Sequence, residues 1–90
     1  MERKFKYNET EYTLKEMIGE EDLAFISEFT NPITNKVNMR NLWMRRLSRC
    51  IISPSMPENE LVKLPSKELQ SLIMMWNTMN EPDTTSFLEL

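Results

Sequence analysis

The stretch that decides the fold is Cys50–Met79, CIISPSMPENELVKLPSKELQSLIMMWNTM. Its pattern predicts the end of one helix, a short acidic segment (the step) and the beginning of another helix. Ser53-Pro54 predicts the stop, because the residue before a proline is driven out of the α region. Ser66 predicts the restart, because a serine side chain can cap the first turn of a helix. The stretch therefore predicts a helical corner rather than one long helix.

Both segments of this corner after Pro54 have an inward face. Ser55 and Glu58 have the spacing of a capping box, which predicts a short helix over residues 57–63 with Leu61 and Leu64 pointing inward. A longer helix is predicted over residues 67–79. Its apolar residues recur at helical spacing and are Leu69, Leu72, Ile73 and Trp76, flanked by Met75 and Met79. Met74 falls on the opposite side, so we expect it to be exposed and available as a contact surface.

A further helix is predicted before the corner, over residues 38–52. Its apolar stripe consists of Met39, Leu42, Trp43, Leu47, Cys50 and Ile51. We expect Cys50 to be a small core residue rather than a reactive thiol, because it lies on this stripe. Four arginines share the helix: Arg40, Arg45, Arg46 and Arg49.

The charges are distributed unevenly along the chain. Between Thr30 and Pro57 there are five basic residues and no acidic one, whereas the flanking segments are rich in acids and the net charge is −3. Three interpretations of the arginines are open: they pair with acids of the same molecule, bind an acidic protein partner, or bind nucleic acid. Nucleic acid is the least favoured partner, because the chain is acidic overall.

The N-terminal residues predict a β-hairpin. Phe5, Tyr7, Tyr12 and Leu14 alternate with polar residues on either side of an Asn8-Glu9-Thr10 turn. A competing interpretation begins a helix at Thr13, but the aromatic and β-branched residues favour a strand through Leu14. Next comes a helix from about Glu20 to Phe29, with Ile18, Phe25, Ile26 and Phe29 on one face, and then a polar loop over residues 31–37.

Composition excludes several classes of chemistry. The chain has no histidine, one cysteine and one glycine, which argues against a histidine base, a structural zinc site and a glycine-rich phosphate loop. We therefore expect no catalytic activity, no metal and no cofactor. One cysteine rules out an internal disulfide, and no apolar run reaches the length of a membrane span, so we expect a cytoplasmic protein that does not enter a membrane.

Ninety residues predict a single small domain. Asn80-Glu81-Pro82 predicts the end of the last helix, which gives a domain over residues 1–80 and a C-terminal tail over residues 81–90. The tail carries Phe87, Leu88 and Leu90, which we expect to dock on the domain itself, on a neighbouring subunit or on a partner. The expected fold class is α+β, mainly α, with an N-terminal hairpin packed on three to four helices.

The corner resembles a pattern found in the small tail assembly chaperones of long-tailed bacteriophages. Here the pattern runs from Ile51-Ile52-Ser53-Pro54 through Glu60-Leu61-Val62-Lys63-Leu64-Pro65 to Leu72, and in that family it is similar to ISxPxLTxxELxxLPxxDLxxL. The segment from Phe5 to Leu23 also resembles the strand pair and following helix of those proteins. The arginine-rich helix and the Phe-Leu-Glu-Leu end depart from the family pattern.

The resemblance implies a function in the host cytoplasm without catalysis. Such chaperones bind the tape-measure protein and keep it in solution while the tail tube assembles around it. Expected partners are therefore tape-measure and tail-tube proteins, with self-association left open. The expected partner-binding residues are Arg40, Arg45, Arg46, Arg49, Met74, Phe87, Leu88 and Leu90. Two alternatives are a structural subunit retained in the virion and a small nucleic-acid-binding regulator that uses the arginines.

Overall fold

The chain begins with an antiparallel hairpin of two strands, β1 (Glu2–Tyr7) and β2 (Thr10–Lys15). A computed structural model describes residues 1–80 and places Phe5 opposite Tyr12, with their rings stacked at a centroid distance of 5.2 Å. Asn8 and Glu9 form the turn with φ of 51° and 66°, and two positive φ values are what a two-residue type I′ turn requires. The predicted hairpin is confirmed, and the strand continues past Leu14 instead of giving way to a helix at Thr13.

Four helices follow the hairpin: α1 (Gly19–Glu28), α2 (Met39–Cys50), α3 (Glu58–Leu61) and α4 (Ser66–Asn80). The fold is therefore α+β and mainly α, as predicted. The acids Glu20, Glu21 and Asp22 occupy the first turn of α1, where they favour the positive end of the helix dipole. None of the helices in residues 1–80 is long and apolar enough to cross a membrane.

Strand β2 also pairs with the chain that leaves α2. Thr13 donates its N–H to the Ser53 carbonyl and accepts from the Ile52 N–H, both at 3.1 Å, and Leu14 lies opposite Ile51. Leu14 and Ile51 are almost completely buried, at 0% and 1% exposure. Thus the stop at Ser53-Pro54, which the sequence predicts only as a helix end, also attaches the helices to the hairpin.

The core lies where β2, α2, α3 and α4 meet. Its members are Leu14, Met44, Leu47, Cys50, Ile51, Met56, Leu61, Leu72, Trp76 and Met79. The predicted inward positions of Leu47, Leu61 and Trp76 are confirmed, as is the core location of Cys50. Residues Met44 and Met56 are buried although no predicted face contained them.

Three sequence-based expectations are wrong in detail. Met39 is 52% exposed, because it begins α2 and the inward face passes instead through Met44. Ile18 is 65% exposed, because it precedes α1 with extended backbone angles rather than sharing its face. Ser55 does not cap α3: Pro57 is the capping residue, without a side-chain hydrogen bond, and Ser55 pairs with Ile52 instead.

The buried position of Trp76 gives a stability prediction. Trp76 is 6% exposed, so Trp76→Ala should lower the free energy of unfolding by about 3–5 kcal/mol through lost burial and a residual cavity. The measurement is chemical denaturation followed by circular dichroism. Met74→Ala, on the same helix but with 69% exposure, is the control and should change stability by less than about 0.5 kcal/mol. Equal losses for the two variants would contradict the described core.

Candidate protein-binding site

The arginines of α2 face α1 and pair with its acids. Arg45 donates to Glu28 at 3.1 Å and Arg49 donates to Glu21 at 3.0 Å. Helix α1 contributes no fully buried residue of its own. Its attachment to the rest of the fold therefore depends strongly on ion pairs. The basic residues of α2 and the acidic residues of α1, which make the charge distribution of the sequence uneven, pair with each other.

The Arg46–Asp22 pair is the least exposed of these contacts. The guanidinium Nε lies 2.7 Å from Oδ1 and Nη2 lies 3.1 Å from Oδ2, so the pair is bidentate. The two side chains are only 11% and 22% exposed. The guanidinium carbon also lies 4.8 Å and 4.5 Å from the ring centroids of Trp43 and Trp76. Both the charge-assisted geometry and the aromatic contacts strengthen this pair.

Arg45 joins three elements in the same layer. It pairs with Glu28 of α1 and, at 3.8 Å, with Glu58 of α3. Its guanidinium carbon lies 5.5 Å and 5.2 Å from the ring centroids of Phe25 and Phe29. The arginine therefore covers the aromatic side chains that α1 presents to α2.

These contacts decide between the interpretations of the arginines. Arg45, Arg46 and Arg49 pair with acids of the same chain, so an outside phosphate or carboxylate would have to displace those acids. Arg40 differs: it is exposed, bonds only to the Asn41 side chain at 3.2 Å, and makes no ion pair within residues 1–80.

The other expected partner-binding residues lie elsewhere. Met74 is 69% exposed, as predicted, and lies on α4 away from the arginine layer. Phe87, Leu88 and Leu90 lie outside the described residues. Among the expected residues that lie within 1–80, the arginines are on α2 and Met74 is on α4.

A groove between β1 and α4 is a concave surface that the sequence did not predict. Its volume is about 230 Å³, and a neighbouring hollow of about 250 Å³ extends it towards α3. The two share Tyr7, Met56 and Leu64 in their walls. The remaining lining of the groove is Phe5, Lys6, Lys67, Glu68, Ser71, Leu72 and Met75. Its floor is thus apolar and its rim charged, which is typical of a site for an apolar side chain or stripe.

The sequence patterns predicted the positions of some of the residues that line this groove. Phe5 and Tyr7 are on the predicted inner face of the hairpin, and Met75 flanks the predicted face of α4. Nothing in either pattern indicates how far apart the hairpin and α4 lie, because that spacing is set by the long-range pairing of β2 with residues 51–53. The groove could therefore not be predicted from local periodicity.

The Cys50 thiol lies in the core below the arginine layer. Burial raises its pKa above the ordinary value of 9.0, while the Trp76 indole and the nearby Arg49 lower it by smaller amounts. The Trp76 Nε1 is itself buried and has no hydrogen-bond partner of normal geometry within residues 1–80.

Comparison of the chain with protein-family models, with curated proteins and with solved structures found no match. Within residues 1–80 no group of three or more His, Cys, Asp or Glu side chains is arranged to hold a metal ion. The candidate site is therefore defined by the geometry of the groove and of the arginine layer alone.

The burial of the Arg46–Asp22 pair gives a second prediction. Arg46→Ala should lower the free energy of unfolding by about 2–3 kcal/mol, because it leaves Asp22 without its partner and uncovers both tryptophan rings. Arg49→Ala is the matched control, since its side chain is 51% exposed and an exposed pair contributes less than about 1 kcal/mol. Urea denaturation measures both. A smaller loss for Arg46→Ala than for Arg49→Ala would contradict the assigned geometry.

The raised pKa of Cys50 predicts a pH dependence of stability. The thiol of the unfolded chain ionises at lower pH than the buried thiol, so stability is fully present below pH 9.0 and falls as the pH rises above it. Cys50→Ala removes this contribution while leaving the tyrosines and lysines in place. Denaturation midpoints between neutral and alkaline pH should therefore fall more steeply for the natural chain than for the variant. Parallel slopes would show that the thiol is not protected from ionisation.

Proposed function

We propose that this chain is a non-catalytic assembly chaperone of the kind found in long-tailed bacteriophages. It binds the tape-measure protein in the host cytoplasm and holds it in solution while the tail tube assembles. The observation that carries the proposal is the apolar groove between β1 and α4. It offers a binding surface for an apolar stripe and requires no turnover chemistry.

The residues that resemble the family also build this groove. Leu64-Pro65 ends the step after α3, and Leu72 belongs to the α4 segment of the same pattern. Both Leu64 and Leu72 line the groove. The segment that resembles the chaperones therefore contributes residues to the wall of the proposed binding surface, which supports the proposal.

A long helical partner with one apolar stripe is suited to such a groove. Helix-in-groove recognition places apolar side chains of the partner at helical spacing into an apolar channel. Met56 and Met75 in the groove wall can adjust to different side chains, because methionine is unbranched and polarizable. Weak binding at each groove gains avidity when many chaperone copies cover one long partner.

The proposal moves the partner surface away from most of the arginines. Arg45, Arg46 and Arg49 already pair with acids of α1, whereas the groove has no occupant among residues 1–80. Arg40 and Met74 are the exposed members of the expected set, and they provide an alternative surface against which the groove can be tested.

Neighbouring residues of α4 give a matched test of the groove. Met75 lines the groove and Met74 is exposed on another side of the helix. Co-expressed with a phage tape-measure protein, the natural chain should keep that protein in solution and co-purify with it. Met75→Gln should reduce the amount co-purified several-fold, because it places a polar amide in the apolar channel, and Met74→Gln should leave the amount unchanged.

Each contrary outcome has a definite meaning. A loss for Met74→Gln but not for Met75→Gln would place the partner on the exposed side of α4 and reject the groove. A tape-measure protein that is equally soluble with and without the natural chain would reject the chaperone function itself. Circular dichroism of both variants verifies that they are folded.

A further inference from the structure

The outer edge of β1 is open within residues 1–80. Thr13 directs its N–H and carbonyl to Ser53 and Ile52, so those groups point away from β1. Lys4 is the partner of Thr13 in the ladder. In an antiparallel ladder such a pair directs the backbone groups of both residues outward, and the pattern repeats at every second residue. The outward residues of β1 are therefore Glu2, Lys4 and Lys6.

This edge offers a row of backbone donors and acceptors to a further strand. No segment of residues 1–80 pairs with it, and the side chains of all three outward residues are exposed. A sheet of two strands is small, and an open edge is a template for an additional strand. The charges along the edge determine which strand fits.

We propose that the strand is β1 of a second copy of this chain, antiparallel to the first about a two-fold axis at Lys4. Glu2 of each copy then lies opposite Lys6 of the other. This register uses every outward residue, and two hydrogen bonds for each pair give about six between the copies. The two hairpins become one antiparallel sheet of four strands.

The charges on the exposed face fit this register. Glu2 and Lys6 make no ion pair within residues 1–80, so each is available to the other copy. Opposite charges directly across a strand pair are favourable. The two Lys4 side chains meet at the axis, but each lies 3.5 Å from Glu11 of its own hairpin, which reduces their mutual repulsion.

Other two-fold registers fit the edge less well. An axis at Arg3 places this arginine against its own copy and leaves Lys6 without a partner. An axis at Phe5 places Lys4 of each copy against Lys6 of the other, and like charges directly opposite are unfavourable. Each of these registers also uses fewer of the outward backbone groups. The edge lysines therefore select one register.

The inner face of the paired strands gives each groove a residue from the second copy. Phe5 lines the groove, and in the proposed register Arg3 of the other copy lies directly opposite it on the same face. Arg3 makes no ion pair within residues 1–80, and a guanidinium is attracted to the face of an aromatic ring. The second copy thus completes the wall of the groove.

The dimer carries two grooves on one face of its sheet. Two linked sites bind one long partner more tightly than either site alone, a consequence that rests on the proposed function. The pairing of the two strands does not depend on that function. Its test uses the full chain without a tape-measure protein, so failure of the dimer and failure of the chaperone function are separate results.

A charge exchange across the axis tests the register. Sedimentation velocity of the natural full chain should show a monomer that becomes a dimer as the concentration rises. Glu2→Lys should raise the dissociation constant about tenfold, because two favourable pairs become two like-charge pairs. The double variant Glu2→Lys/Lys6→Glu places opposite charges together again and should restore the natural value. Glu9→Lys makes the same change of net charge in the turn, outside the paired residues, and is the control that should have no effect.

A backbone change and hydrogen exchange test the edge itself. Lys4→Pro removes an N–H that the hairpin does not use, and proline is tolerated on edge strands, so the variant should stay folded by circular dichroism and monomeric. In the natural chain, exchange at the Lys4 and Lys6 amides should slow as the concentration rises. The Arg3 and Phe5 amides face β2 and should be protected at every concentration.

Contrary outcomes are equally definite. A natural chain that stays monomeric at every concentration would overturn the proposal. A dimer that persists in folded Lys4→Pro would place the interface elsewhere and overturn it too. If Glu2→Lys weakens the dimer and Glu2→Lys/Lys6→Glu does not restore it, the proposed register is wrong.

Discussion

The bidentate contact between Arg46 and Asp22 connects the parts of this fold that apolar packing alone does not. Helix α1 has no fully buried residue; Phe25 and Ile26 are only half-buried, so ion pairs contribute much of its attachment. Arg46 bonds to Asp22 and covers the rings of Trp43 and Trp76, which belong to α2 and α4. Because the pair is only slightly exposed, it loses less to solvent screening than the surrounding ion pairs. One side chain thus joins three helices.

This use of charge inside the molecule determines which surface is left for a partner. The basic segment between Thr30 and Pro57 is consistent, from sequence alone, with a binding surface for acids or phosphates. In the structure, Arg45, Arg46 and Arg49 pair with acids of α1. A partner that bound these arginines would first have to break the ion pairs. The groove between β1 and α4 is apolar, lies away from that layer and contains none of the paired arginines. Apolar contact rather than electrostatic attraction is therefore the basis of the proposed binding.

Local patterns predicted the elements of the fold well, and they failed where distant segments meet. The alternation of Phe5, Tyr7, Tyr12 and Leu14 predicted the hairpin, and helical spacing predicted the burial of Leu47, Leu72 and Trp76. Met56 escaped prediction because it lies in no periodic segment and is buried only through the corner's folding against β2. The groove was not predicted for the same reason, since it depends on contacts between residues far apart in the sequence. Pairing of the arginines with acids of the same molecule was one of three open interpretations. Charge patterning did not specify that Arg46 meets Asp22.

The open edge of β1 lies beside the groove. An unpaired strand edge is a template for association, and natural proteins protect such edges with charged side chains or by covering them. Lys4 and Lys6 protect the polar side of β1, but the side that carries Phe5 and Tyr7 opens on the apolar channel. Lys4 pairs with Glu11 across the hairpin at 3.5 Å, and like charge disfavours a basic strand beside Lys6. The edge is therefore charged but open, and it adjoins the apolar channel of the groove.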